Sequence, residues 1–84
     1  MAIWIRSQDK TNLIECKTID VLNRFNEFHV VANYIDFGEA ENYNDLGQYS
    51  SKRKQTKVLD MIQKHVETYS NKVYQMPQDN EVEV

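Results

Sequence analysis

One cysteine, one proline, two glycines and no run of eighteen apolar residues are found among the 84 positions of this chain. With Cys16 alone, an intrachain disulfide framework is excluded, and so is the paired-thiol spacing of a structural zinc site. A reducing, cytoplasmic setting fits. The amino-terminal stretch MAIWIRSQDK has no basic segment leading into an apolar one, so no export signal is read there. Without an eighteen-residue apolar span, no transmembrane helix is expected and the chain reads as soluble. Carboxylates are many, yet EF-hand spacing and a histidine pair at i, i+4 are both missing, so no metal or cofactor is expected. Internal repeats and low-complexity tracts are absent as well.

What is present suits a small folded domain. Apolar residues make up 40% and aromatic residues 11% of the chain, enough for globular packing and too much for a disordered chain. A chain this short has a thin core, which favours a partner or self-association. The net charge of -3 is unevenly spread: residues 1–50 sum to -4, residues 51–74 to +4 and the last ten to -3. A dipolar molecule with one basic element follows, and nucleic acid is a poor partner for it, because one cluster supplies few phosphate contacts.

Strand alternation marks Ile3 and Ile5 against Trp4 and Arg6, predicting a first strand over residues 2–7. LIECKTIDVL reads as one strand carrying a bulge. FHVVANYIDF is the clearest strand, with apolar groups on both faces that place it centrally or against a partner. GEAENYND reads as an acidic loop and LGQYS as a fourth short strand. From Lys52 the period becomes helical, with Val58, Leu59, Ile62, Val66 and Tyr69 on one stripe. Ser50 or Ser51 supplies the N-cap, and Ser70 with Asn71 the stop. KVYQM offers a last strand. The expected fold is α+β: a small antiparallel β meander of four or five strands with one amphipathic helix over about residues 52–70. Residues 1–76 form the domain, and 77–84 are expected as an acidic flexible tail.

Catalysis has no motif behind it. Cys16, His29 and His65 belong to separate elements, and an enzyme is not expected. The conspicuous feature is Lys52, Arg53, Lys54 and Lys57 at the helix start, where the dipole disfavours cations. A solvated helix face is the plain reading. The functional reading is an anion site in which helix N–H groups, Ser50, Ser51, Lys52, Arg53 and Lys54 hold phosphate. Trp4, Arg6 and Tyr49 then serve as an aromatic and polar surround. Arg6 and Lys10, in the RSQDKTN turn, make a second candidate.

Three stretches, IWIRSQDKTNLIEC, LGQYSSKRKQTKVLDMIQKHV and VYQMP, resemble small, largely uncharacterised proteins encoded by phages and prophages of Gram-positive bacteria. Those proteins share a W-I-R-S-Q-D start, an L-G-x-Y segment, a V-L-D-x-I helix and a closing M-P. The resemblance covers about half the chain and carries no active site. It implies an accessory protein acting in the host cytoplasm against defence or regulation. Two modes are open. In one, a homo-oligomer sequesters a phosphate-bearing nucleotide signal; in the other, the chain inhibits a host protein by direct contact.

Overall fold

A computed structural model describes residues 3–36, 38, 40–69 and 71–84. The chain forms strands β1 (Ile3–Arg6), β2 (Leu13–Cys16), β3 (Ile19–Arg24), β4 (Glu27–Asp36) and β5 (Glu41–Tyr49), helix α1 (Lys52–Tyr69) and strand β6 (Tyr74–Gln75). A 3-10 turn at Asp79–Glu81 follows. The class is α+β, as expected. The single meander is corrected: the strands form two three-stranded sheets, ordered β2-β1-β6 and β3-β4-β5. Strand β6 runs parallel to β1, and the other pairs are antiparallel. The expected ends at Ala2, Phe37 and Ser70, and Glu39 of the expected loop, lie outside the described residues.

The stretch LIECKTIDVL divides into β2 and β3, which belong to different sheets, and Asn33 accounts for the division. Asn33 interrupts β4 at φ 56, a left-handed conformation that Asn reaches more readily than most residues. The register with β5 shifts there, as at a bulge. Asn33 Nδ2 donates to the Glu15 carbonyl at 2.9 Å, and its Oδ1 accepts from the Lys17 N–H at 2.8 Å. Its own N–H donates to the Thr18 carbonyl at 2.9 Å. One amide side chain thus satisfies the backbone where the chain steps between sheets, so the step leaves few polar groups unpaired.

Gln8, in the β1–β2 turn, bonds the first sheet to β5 of the second. Its N–H donates to the Leu46 carbonyl at 2.8 Å. Its Oε1 accepts from the Gln48 N–H and its Nε2 donates to the Gln48 carbonyl, both at 3.0 Å. A carboxamide presents the same donor and acceptor as a peptide group, so Gln8 acts as a one-residue strand on β5. Gly47 makes the approach possible: a Cβ there would lie 3.1 Å from Gln8 Cβ and 3.3 Å from Tyr49 Oη.

Residues 41–45, expected within the loop, begin β5 instead. The long β4 offers them a partner through Asp36, which pairs with Glu41. Tertiary pairing overrides the low strand preference of the acidic sequence. The helix starts as expected: Ser51 Oγ accepts from the Lys54 N–H at 3.2 Å. Of the apolar stripe, Val58 and Ile62 are buried against the second sheet, while Val66 and Tyr69 are exposed. Gln55 is also buried, and its Nε2 donates to Asn23 Oδ1 at 2.6 Å and the His29 carbonyl at 2.8 Å. This amide fixes the helix on the β3–β4 hairpin.

One core joins Ile3, Ile5 and Cys16 of the first sheet, Val30, Ala32, Leu46 and Tyr49 of the second, and Val58 and Ile62 of α1. Met76 and Val82 complete it. The expected tail at 77–84 is therefore a packed segment. Val82 gives it an apolar anchor, Tyr49 Oη donates to the Pro77 carbonyl at 2.8 Å, and Gln78 Nε2 donates to the Gln8 carbonyl at 2.6 Å.

At the β3–β4 turn, Phe25 and Asn26 have φ 50 and 66. Positive φ at both central residues is what a two-residue hairpin loop requires. Asn suits the position; Phe does not, and its Cβ costs roughly 1–2 kcal/mol there.

Gly47→Ala should lower stability by roughly 1–3 kcal/mol through overpacking, measured by urea unfolding. In a Gln8→Gly background that penalty should shrink, because the clashing Cβ and the rest of that side chain are gone. Equal penalties in both backgrounds would show that Gln8 does not set the constraint.

Candidate functional site

The eight residues singled out in the sequence fall into four places. Ser50 and Lys54 meet an internal anion, the carboxylate of Asp79, while Ser51 caps the helix beside them. The Ser50 N–H donates to Asp79 Oδ1 at 2.7 Å. Lys54 Nζ lies 3.3 Å from Asp79 Oδ2 and donates to the Asp79 carbonyl at 2.9 Å. The Ser50 N–H, helped by Lys54, holds the Asp79 carboxyl below its ordinary 3.8. The 77–84 segment thus carries its own negative charge to the positive end of α1, the arrangement that the macrodipole favours.

Lys52 and Arg53, the first two residues of the helix, remain exposed. With Thr56, Lys57 and Asp60 of α1, and with Glu83 and Val84, they line a shallow groove of about 580 Å³. Three cations there face two carboxylates. Tyr49, expected beside the site, is buried at 2% exposure, and burial raises its phenol well above the usual tyrosine range. It supports the core and cannot stack on a ligand.

Trp4 and Arg6 belong to a different surface. Because Ile3 and Ile5 face the core, alternation turns Trp4 and Arg6 to the outer face of the first sheet. Trp4 stands opposite Glu15, and Arg6 opposite Leu13. Leu13 is thereby a diagonal neighbour of Trp4. Val73, one residue before β6, continues the alternation on the other flank. Trp4, Leu13 and Val73 are 45, 53 and 44% exposed. Arg6 Nε donates to the Lys10 carbonyl at 2.9 Å, and Lys10 Nζ donates to Gln75 Oε1 at 3.3 Å. The result is an apolar strip, one aromatic wide, with cations along one end. No hydrogen bond or ion pair among the described residues links it to the helix start.

The turn behind this strip is stiff. Asp9 Oδ1 accepts from Ser7 Oγ at 2.6 Å, the Thr11 N–H at 3.0 Å and Thr11 Oγ1 at 2.7 Å. These bonds, the Ser7 hydroxyl first, hold the carboxyl at about 2. Between this turn and β5 lies a polar cleft of about 430 Å³ lined by Asp9, Asn12, Asn44 and Asp45, with carboxylates and no Lys or Arg. Its charge repels phosphate.

Cys16 is buried, and desolvation pushes its thiol up to about 11, far from a nucleophilic thiolate at neutral pH. His29 Nδ1 lies 3.0 Å from Asp45 Oδ2, and His65 packs edge-on against Tyr74 with ring centroids 5.0 Å apart. The three residues share no contact. Among the described residues, no group of three His, Cys, Asp or Glu side chains gathers as metal ligands, and no helix is long and apolar enough to cross a membrane.

No protein-family model, curated protein or solved structure matches the chain. Sequence reasoning missed three contributors to these surfaces. Asp79 was hidden in an apparent tail, whereas Leu13 and Val73 were legible from alternation once the pairing of β1 with both neighbours was fixed.

Asp79→Asn should lower the thermal midpoint at neutral pH. Because folding depresses this carboxyl, the stabilisation it gives is present above its ordinary 3.8 and is lost as pH falls through its folded value. The gap between wild type and variant, followed by thermal melts from pH 7 downward, should therefore close in acid. A gap of constant size would refute the charge pairing.

Proposed function

We propose that the chain is a non-enzymatic accessory protein that acts by docking the outer face of its first sheet on a host defence or regulatory protein. The observation that carries this reading is the exposed Trp4–Leu13–Val73 strip on a rigid sheet, with Arg6 at its end. Trp and Arg are the residues most often found at interface hot spots, and a flat apolar strip with a charged rim is the anatomy of a protein contact. The resemblance to phage and prophage accessory proteins supplies the host setting. An 84-residue chain has little room for a catalytic cleft beside its core, but ample surface for a docking face.

A second reading draws on the groove at Lys52, Arg53 and Lys57. It holds more cations than carboxylates and suits a phosphate-bearing nucleotide signal. The aromatic platform expected with it is lacking there, since Tyr49 is buried and Trp4 lies on the outer sheet face. Sequestration of such a signal thus rests on charge alone, and the contact reading is preferred.

Affinity capture from host cells with the wild-type chain should retain one host protein stoichiometrically. Trp4→Ala with Leu13→Ala should cut that retention by at least about thirtyfold, the loss expected for a hot spot. The melting curve of the variant should stay cooperative. Equal retention by the variant would sink the sheet-face reading. Loss of retention only when Lys52, Arg53 and Lys57 are neutralised would favour the groove.

A further inference from the structure

We infer that copies of this chain associate head to tail, with Phe25 of one copy seated in the groove between the C-terminal half of α1 and β6 of the next. Phe25 is 96% exposed at the tip of the β3–β4 hairpin, in a left-handed conformation that disfavours an aromatic side chain. The turn itself does not require Phe: Asn or Gly makes the same loop with less strain and no exposed ring. A knob kept at both costs is explained by something that covers it.

The chain carries a matching hole. Met61, Lys64, His65, Thr68, Tyr69 and Tyr74 line a groove of about 300 Å³. Its walls are a thioether, aromatic rings and an aliphatic lysine stem, the adaptable surfaces that accept an aromatic anchor. It lies under the part of the helix stripe left uncovered in one copy, where Tyr69 is 52% exposed. The rims are complementary: Arg24, next to Phe25, is paired with Glu41, whereas Glu27, half exposed while it accepts from Gln48 Nε2 at 3.2 Å, has Lys64 as its opposite at the groove. Gln55 ties the first turns of α1 to Asn23, next to the hairpin tip. The groove begins at Met61 and reaches Tyr69, so knob and hole sit toward opposite ends of one helix, roughly 15 Å apart along its axis. Two different surfaces make the contact heterologous, and it closes into a ring or extends as a chain. It engages the helix and the hairpin rather than the sheet face, and its test contains no host protein, so the outcome is independent of the docking reading.

The test is native mass spectrometry and sedimentation of the full chain over a concentration series. Wild type should assemble. Phe25→Asn keeps a residue suited to positive φ, so it should melt at the same or a higher temperature while self-association weakens by at least about thirtyfold. Thr68→Arg, which obstructs the groove, should weaken it likewise. Mixed together, the two variants retain one good knob and one good hole between them, and should form a one-to-one dimer that grows no further. A wild type monomeric at every concentration, a Phe25→Asn variant that assembles as wild type does, or a mixture that stays monomeric would each overturn the inference.

Discussion

The side-chain amides of Gln8 and Asn33 bond the first sheet to the second at two places, Asn33 where the chain passes from β2 to β3 and Gln8 where the β1–β2 turn meets β5. At each place backbone groups step out of a strand ladder near the surface, and a side-chain amide supplies partners that water would otherwise supply. Asn33 supplies those partners to Glu15, Lys17 and Thr18, and Gln8 supplies them to Leu46 and Gln48. Each bond contributes only about 0.5–1.5 kcal/mol net. The amides matter chiefly through the geometry that they select. They join the first sheet to the second, with Ile3 and Ile5 in the shared core and Trp4 turned outward.

Gln8 also captures the C-terminal segment. Its Nε2 lies 3.3 Å from the Pro77 carbonyl, and its own carbonyl accepts from Gln78. From there the chain reaches Asp79, which meets Ser50 and Lys54. The cations at the helix start are thus answered partly from within: an acidic segment that opposes them in sequence is brought to them by the fold. Lys52, Arg53 and Lys57 keep a modest positive excess, weaker as a phosphate site than the sequence pattern suggests. The strip around Trp4 and the ring of Phe25 are exposed apolar features, and they move the functional reading from an anion toward a protein surface.

Much of the fold was legible in local pattern. Alternation located β1 and β4, the change of period located α1, and Ser51 explained where the helix begins. The division of the strands into two sheets was not legible, because it rests on long-range bonds from Asn33 and Gln8, residues that look like ordinary polar strand and turn positions. Nor was the parallel β6: its two residues pair with β1 only after the whole chain has returned. Of the expected site, Lys52 and Arg53 share a groove, Ser51 is a cap, Tyr49 is core, and Trp4 with Arg6 lies on the outer sheet face. Charge clustering in sequence found the helix start but gave no sign of Asp79, whose approach depends on Val82 burying itself.

Native-state hydrogen exchange at the Gln48 amide tests the central claim most directly, because the acceptor of that N–H is a side chain, Oε1 of Gln8. The account predicts protection of Gln48 comparable to that of Val30 in the core strand, and a selective loss of it in Gln8→Ala. Exchange of Gln48 in the wild-type chain as fast as an uncovered edge amide would contradict the account, since the two sheets would then be joined by something other than this bond.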